Sequence, residues 1–313
     1  MSLKFYRFEL PLTRRVHLSR DRELDSRIGY LVRRKSAWAE ASPLPGFSKE
    51  GEAEVLEDFR RLRDEEEPQP QTASVRFAWH CLEHLPDEGV DITIAALLSG
   101  EPQEIIQRAS ELAKKKCPAA KLKVGTRTVA EDAEIARAVY ERLEGKCLLR
   151  LDANRQWTAK QALAFADLTE DLSFDYVEEP VNSDFALADV RLKAKWRTAY
   201  DETLQAKDGV VTILETATSD MLVDKPSLTG GLRFEDVVGK IRVTHSAAYE
   251  SGVGLYRIAQ MASAAKLKYP AGLDTYHLLA EDVLRRRLNF KGWRLKLKRM
   301  PPVDVGKLEE IEL

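Results

Sequence analysis

An α/β fold is predicted: a (β/α) barrel flanked in sequence by the two parts of a smaller α+β domain. Lys123, Asp152, Glu178, Asp201 and Lys225 follow one another at intervals of 29, 26, 23 and 24 residues, each at or near the end of a short apolar run. A repeat of about 25 residues is the length of one strand, one helix and two loops, and charge at each strand's C-terminal end is the mark of a (β/α) barrel site. From residue 92 onward strand-like and helix-like patterns alternate, which argues a parallel sheet closed on itself. The two ends of the chain, by contrast, read mainly as strands.

Taken in order, LKFYRFEL, RIGYLVRR and SAWAEASPLP alternate apolar and polar residues as half-buried strands do, with LSRDRELDSR read as a charged linker and PLPGFS as a turn. A helix over 50–64 places Val55, Leu56, Phe59 and Leu62 on one stripe, and EEEPQPQTAS ends it. A second helix, 74–84, carries Val75, Ala78, Trp79 and Leu82. The barrel units follow as strand ITIAALLSG, helix PQEIIQRASELAKKK, strand AAKLKV, helix VAEDAEIARAVYERLEG, strand CLLRLDA, helix TAKQALAFADLTE and strand FDYVEE. Next come a helix over 186–195, strand TAYDE, a helix over 208–216, strand DMLVDKP, helix LRFEDVVGKIR and a less regular stretch over 245–254. The stretch RLNFKGWRLKLKRMPPVDVGKLEEIEL reads again as strands returning to the N-terminal region. The expected division is a capping domain over 1–90, a barrel over 91–285 and a returning segment over 286–313.

At 313 residues the chain can bury a sizeable core, and 44% hydrophobic with 32% charged residues is ordinary for a soluble protein. Forty-nine basic against 51 acidic side chains give no global pull toward nucleic acid or an anionic membrane. The clusters at Arg285 to Arg287 and at Arg294, Lys296, Lys298 and Arg299 read as solvated faces. Cys81, Cys117 and Cys147 are odd in number and lack metal-type spacing, which argues against a disulfide framework or a zinc site and for a reducing compartment. The beginning of the sequence has no apolar stretch of signal length, and nowhere do about 18 apolar residues run together. A cytoplasmic monomer or small homo-oligomer is expected, with a small-molecule carboxylate as its partner.

Side chains two apart on a strand share a face. Leu122 and Val124 therefore oppose Lys121 and Lys123, and Leu149 and Leu151 oppose Arg150, Asp152 and Asn154. The apolar sets suit the surrounding helices, so the charged sets point into the barrel mouth, where they need partners. Mg²⁺ or Mn²⁺ prefers oxygen ligands in octahedral geometry, and Asp152, Glu178 and Asp201 supply one face of such a site. The alternative is a ladder of salt bridges among Lys123, Arg150 and these acids. A neighbouring ammonium and a divalent cation would lower the pKa of Lys121 and Lys123 toward values useful to a base.

Lys121-x-Lys123, the DAN of Asp152 to Asn154, the EEP of Glu178 to Pro180, the DE of Asp201 and Glu202, and the KP of Lys225 and Pro226 are similar, in this order, to the muconate-lactonizing branch of the enolase superfamily. Within it, WAEASPLPGFSKE, LRLDANRQW, KPSLTGG, ESGVG and AGLDTY resemble the o-succinylbenzoate synthase family, most closely its proteobacterial type. The resemblance implies an enolase-like modified TIM barrel, (β/α)7β, under an N-terminal α+β capping domain. It implies Mg²⁺-dependent dehydration of 2-succinyl-6-hydroxy-2,4-cyclohexadiene-1-carboxylate to 2-succinylbenzoate in menaquinone biosynthesis. It assigns the metal to Asp152, Glu178 (rather than Glu179) and Asp201. Lys123 removes the proton next to the carboxylate and returns it to the leaving hydroxyl, and Lys225 stabilises the enediolate.

Lys121, Arg150, Asn154, Gly230 and Ser251 complete the expected site as substrate-binding residues, with an orienting salt bridge to an acid as the competing reading for Arg150. VTHSAAYESGVG has fewer serines than expected of this type. His245 reads as structural, Trp38 and Trp157 as packing residues, and the SPLPGFS loop as a lid, with a plain turn as the alternative. A second enzymatic reading keeps the fold and changes the reaction to N-acylamino acid racemisation or dipeptide epimerisation. The intact set of five residues speaks against a non-catalytic scaffold.

Overall fold

The computed structural model describes residues 3–19, 22–85, 88–205, 219–231 and 241–313. The helix expected over 208–216 and most of the one expected over 232–242 lie outside the described residues.

Four strands form the N-terminal sheet: β1 (Leu3–Ser19), β2 (Arg22–Arg34), β3 (Ala37–Ala41) and, from the other end of the chain, β13 (Glu309–Glu310), in the order β13-β1-β2-β3. The described residues of LSRDRELDSR belong to β1 and β2 rather than to a linker: Pro11 pairs with Ser26, Val16 with Leu24 and His17 with Glu23. Ion pairs of Arg15 with Glu23 and Asp25 allow charged residues to remain in strand pairing at this exposed end. Gly29 lies mid-strand because a Cβ there would strike the Ser42 hydroxyl and the Phe8 ring. Two helices, α1 (Glu52–Asp64) and α2 (Ala73–His84), cover the sheet, with Phe59 stacked on Phe5 at 4.7 Å between ring centres.

The run ITIAALLSG, expected as one strand, is two. β4 (Val90–Thr93) pairs antiparallel with β12 (Arg294–Leu297), and β5 (Ala96–Leu98) opens the barrel beside β6 (Ala119–Lys123). The change of partner falls between Ile94, whose N–H donates to Trp293 O, and Ala95, whose N–H donates to Ala271 O.

After β6 the parallel sheet continues through β7 (Leu148–Asp152), β8 (Val177–Glu178), β9 (Thr198–Tyr200), β10 (Met221–Asp224) and β11 (Arg242–His245) in sequential order. Bridges Ile94–Ala271 and Ser246–Gly272 join its two ends and close the ring. Around it lie α3 (Pro102–Lys114), α4 (Val129–Leu143), α5 (Ala159–Leu168), α6 (Asp184–Ala194), the single turn α7 (Pro226–Thr229) and α8 (Gly252–Ala264). Thr128 with Glu131 and Thr158 with Gln161 form capping boxes that start α4 and α5.

From sequence, 245–254 reads as less regular and no helix is named after it; the structure adds α8, whose GVGLYRIAQMASA is apolar nearly all round and buried. It packs into the same apolar core as the N-terminal sheet, while a second core fills the space between the barrel strands and α3 to α6. Glu40 of β3 accepts the N–H groups of Ser251 and Gly254 at the start of α8, and Arg27 of β2 donates to the carbonyls of Tyr249 and Pro43. These buried polar contacts fix the capping sheet over the barrel mouth.

Candidate active site

Register builds the site. Lys123 lies beside Asp152, Asp152 beside Glu178 and Glu178 beside Ala199, so the charged ends of β6, β7 and β8 are level, with Asp201 one residue beyond β9. Lys225 follows β10 directly. One layer deeper, Lys121 pairs in register with Arg150. Alternation along each strand thus turns both lysines and both β7 charges inward, with Leu122 and Leu151 fully buried outside them.

Lys121 Nζ donates to Glu178 at 2.9 and 3.1 Å and stands 2.9 Å from Asp152 Oδ2. Lys123 Nζ donates at 2.6 Å to both Asp152 Oδ2 and Asn154 Oδ1, and Lys225 Nζ donates to Asp201. The three acids are wholly buried behind these amines, and Lys123 is the most open of the lysines, its side chain 32% exposed. The arrangement is the ion-pair ladder of the alternative reading, with Lys121, Lys123 and Lys225 as its cations, built on the same three carboxylates.

Burial alone would raise the Asp152 pKa, but Lys121 and Lys123 outweigh it and hold the carboxyl well below the usual range. Glu178 goes the other way, pushed well up by burial and by the charge of Asp152. Burial would lower the lysine pKa values, yet the neighbouring acids win and push Lys121 and Lys225 up. The lowering expected at Lys121 rests on a cation beside it, whereas here carboxylates are its nearest charges.

Neighbouring glutamates have different surroundings. Glu178 faces Lys121, whereas Glu179 accepts the N–H groups of Asp201 and Thr203 at 3.0 and 2.7 Å and pairs with Arg155 at 2.9 Å. Asn154, Arg155 and Glu179 all have positive φ, at 43°, 60° and 39°, strain of the kind stored where a loop must aim side chains. Asn154 Nδ2 also donates to Glu202, whose carboxyl is pushed up to about 7 by burial and the charge of Asp201. Glu202 had been read only as part of a motif.

A cavity of about 720 Å³ lies between the barrel mouth and the capping sheet, lined by Lys121, Lys123, Arg150, Asn154 and Lys225 among others. Arg150 is pinned by Asp175 at 2.9 Å and by the Pro270 carbonyl, and its guanidinium stacks over Tyr176. Gly230 and Ser251 are not on the cavity wall. A Cβ on Gly230 would meet Arg76, and the Ser251 hydroxyl donates to Glu40 and caps α8. From the cap come Leu44 and Phe47 of the SPLPGFS loop, and from the hairpin Arg14, held by Glu104 and the Ser99 carbonyl. No periodicity marks Arg14, since its partners lie 85 and 90 positions away. His245 is buried 3.0 Å from Asp224, away from this wall, and Trp157 packs on Phe165.

Among the described residues, no three His, Cys, Asp or Glu side chains stand ready around one ion position. The residues nonetheless fit a hard divalent cation: three buried carboxylates from adjacent strands are oxygen donors, and the burial and Asp152 charge that push Glu178 up are what a cation there would relieve.

The family described as MenC, N-terminal domain matches residues 1–84, and the family described as Enolase C-terminal domain-like matches residues 104–301. The o-succinylbenzoate synthase of Citrobacter koseri is 31% identical over 310 residues, 91% of this chain and 94% of that protein. That of Enterobacter sp. is 31% identical over 307 residues, 90% and 92% of the two chains. Among solved structures, an N-succinyl Arg/Lys racemase from Bacillus cereus superposes with TM-score 0.84 at 17% identity, covering 99% of each chain. An o-succinylbenzoate synthase from Thermosynechococcus elongatus, complexed with Mg in its active site, superposes with TM-score 0.77 at 20% identity, covering 91% of this chain and 96% of that one. These structural likenesses establish the fold alone, and the sequence likenesses establish the kinship: the chain belongs to the o-succinylbenzoate synthase family.

Proposed function

We propose that the protein dehydrates 2-succinyl-6-hydroxy-2,4-cyclohexadiene-1-carboxylate to 2-succinylbenzoate, a step of menaquinone biosynthesis, with Mg²⁺ (or Mn²⁺) held by Asp152, Glu178 and Asp201. The observation that carries this reading is the flanking of three buried carboxylates by Lys123 on β6 and Lys225 after β10, in a chain related over nine-tenths of its length to o-succinylbenzoate synthases.

A proton next to a carboxylate is weakly acidic because its removal leaves two negative charges on one group. A bound divalent cation would supply Lewis-acid stabilisation of that charge. Lys123, open to the cavity and oriented by Asn154, takes the proton and hands it to the leaving hydroxyl. Lys225 presents its ammonium from the other side, where preorganised charge stabilises the developing dianion. Lys121 and Arg150 add positive charge at the cavity floor. With Lys123 neutral as the base, the ammoniums of Lys121 and Lys225 face three carboxylates, and a bound divalent cation would leave this cluster positive, as suits a substrate with two carboxylates. Loss of water also makes an aromatic ring, so the reaction runs downhill.

On the same reading the chain divides at 1–90, 91–285 and 286–313, and the protein acts in the cytoplasm as a monomer or small homo-oligomer. No helix among the described residues is long and apolar enough to cross a membrane. The test is a direct comparison of the cyclohexadiene acid with N-succinyl amino acids, each with Mg²⁺. Turnover of the former should dominate, and a racemase rate many-fold above the dehydration rate would overturn the proposal in favour of the racemase reading.

A further inference from the structure

We infer that Cys117 and Cys147 form an oxidisable dithiol site at the foot of the barrel, one that hydrogen peroxide closes to a disulfide. Sequence separation hides the pair, but strand pairing brings it together. Ala119 lies beside Leu148 in parallel register, and the Leu148 N–H donates to the Pro118 carbonyl at 3.1 Å. Extended by one residue, that register sets Cys147 beside Pro118, so Cys117 enters the neighbouring strand one residue earlier, diagonal to Cys147. Strands lie about 4.8 Å apart and one residue adds about 3.3 Å along them, so the diagonal pair of α-carbons lies about 6 Å apart, within the spacing that a disulfide spans. The two thiols share a hydrogen bond, and both are reduced.

The surroundings favour chemistry there. Cys147's hydrogen bond draws the Cys117 thiol below its ordinary pKa, so the pair holds a better nucleophile than an isolated buried thiol. Cys81, alone in α2, shows the contrast: burial pushes its thiol up to about 12. Exposed Lys114 and Lys116 lie near the start of β6, while Lys115 and Lys146 pair with Glu111 and Glu144. Cys117 is fully buried and Cys147 nearly so, which excludes bulky disulfides as oxidants and makes a molecule as small as hydrogen peroxide the reagent of choice.

The Cys117 thiolate attacks one peroxide oxygen. The O–O bond breaks, the sulfur becomes a sulfenic acid, and the departing hydroxide leaves as water after taking a proton. Cys147 then attacks that sulfur, the S–S bond forms, the S–O bond breaks, and a second water leaves. Two thiols are oxidised and one peroxide is reduced. The site lies about 20 Å along β6 from Lys123, at the opposite end of the strand from the catalytic cavity.

The test treats the intact chain with hydrogen peroxide, unfolds it under quench, titrates free thiols and maps a non-reducing digest. Of the three thiols, two should be lost, restored by dithiothreitol, with one cross-linked peptide pair containing Cys117 and Cys147. Cys81→Ser should leave that cross-link intact, and Cys147→Ser should abolish it. Retention of all three thiols, a cross-link through Cys81, or conversion to sulfinic acid without a cross-link would each overturn the inference. The digest of the unsubstituted protein decides even where a variant fails to fold.

Discussion

Lys123 is gripped by two oxygens at 2.6 Å, and only one of them, on Asp152, carries charge. Its Lys123→Ala variant should lose about 10²–10⁴-fold in kcat, the usual worth of a positioned base, while keeping its circular dichroism and its affinity for Mg²⁺. Activity surviving that change would remove Lys123 from the mechanism. Glu179 predicts a different signature, since it holds the backbone of Asp201 and Thr203. Glu179→Gln should weaken Mg²⁺ binding about 10–100-fold, as loss of a group orienting a metal ligand does, and isothermal titration reads it directly. Period-2 alternation was enough to turn Lys121, Lys123, Arg150 and Asp152 inward from the letters alone. It could not separate Glu178 from Glu179, because a two-residue strand offers no alternation to count. The duty of Glu179 depends on a loop 22 positions on, for which no local pattern stands.

Elements were legible where one physical pattern governs them, as in the capped helices α4 and α5. Thr128→Ala should cost about 1 kcal/mol in urea unfolding, with no change in the slope against denaturant, because it removes one arm of the capping box. Leu151→Ala should cost about 2–5 kcal/mol by the same measurement, since that side chain is fully buried between β7 and its helices. The misread features each have their own cause. ITIAALLSG looks continuous because both of its halves are extended, yet a change of hydrogen-bonding partner at Ile94 and Ala95 divides them. LSRDRELDSR looks like a linker because charge is rare in strands, yet Arg15 neutralises the charges across the hairpin. Ser251 fell outside the cavity for a third reason, its hydroxyl being committed to Glu40 of the N-terminal sheet.

At the scale of the molecule, Glu40 joins cap to barrel while buried near Glu250, so burial and then that second charge raise its pKa above the ordinary 4.5. A carboxyl raised in this way binds its proton more tightly folded than unfolded. Its stabilising share is fully present below pH 4.5 and is lost as pH rises through the folded-state value. Unfolding free energy followed from pH 4 to 8 should therefore fall less steeply in Glu40→Gln than in the unsubstituted protein, and equal slopes would remove Glu40 from the linkage. The sequence anticipated that both chain ends would meet, and the pairing of Tyr6 with Glu310 and of Arg7 with Glu309 achieves it. That pairing sets a timetable for synthesis. Lys4 and its partner Glu310 are 306 positions apart, so at roughly 5–20 residues per second β1 waits about 15–60 s for its neighbour. For that interval the outer edge of the first-made sheet is an open template for other nascent chains, and Lys4 and Arg7 are the charges that guard it.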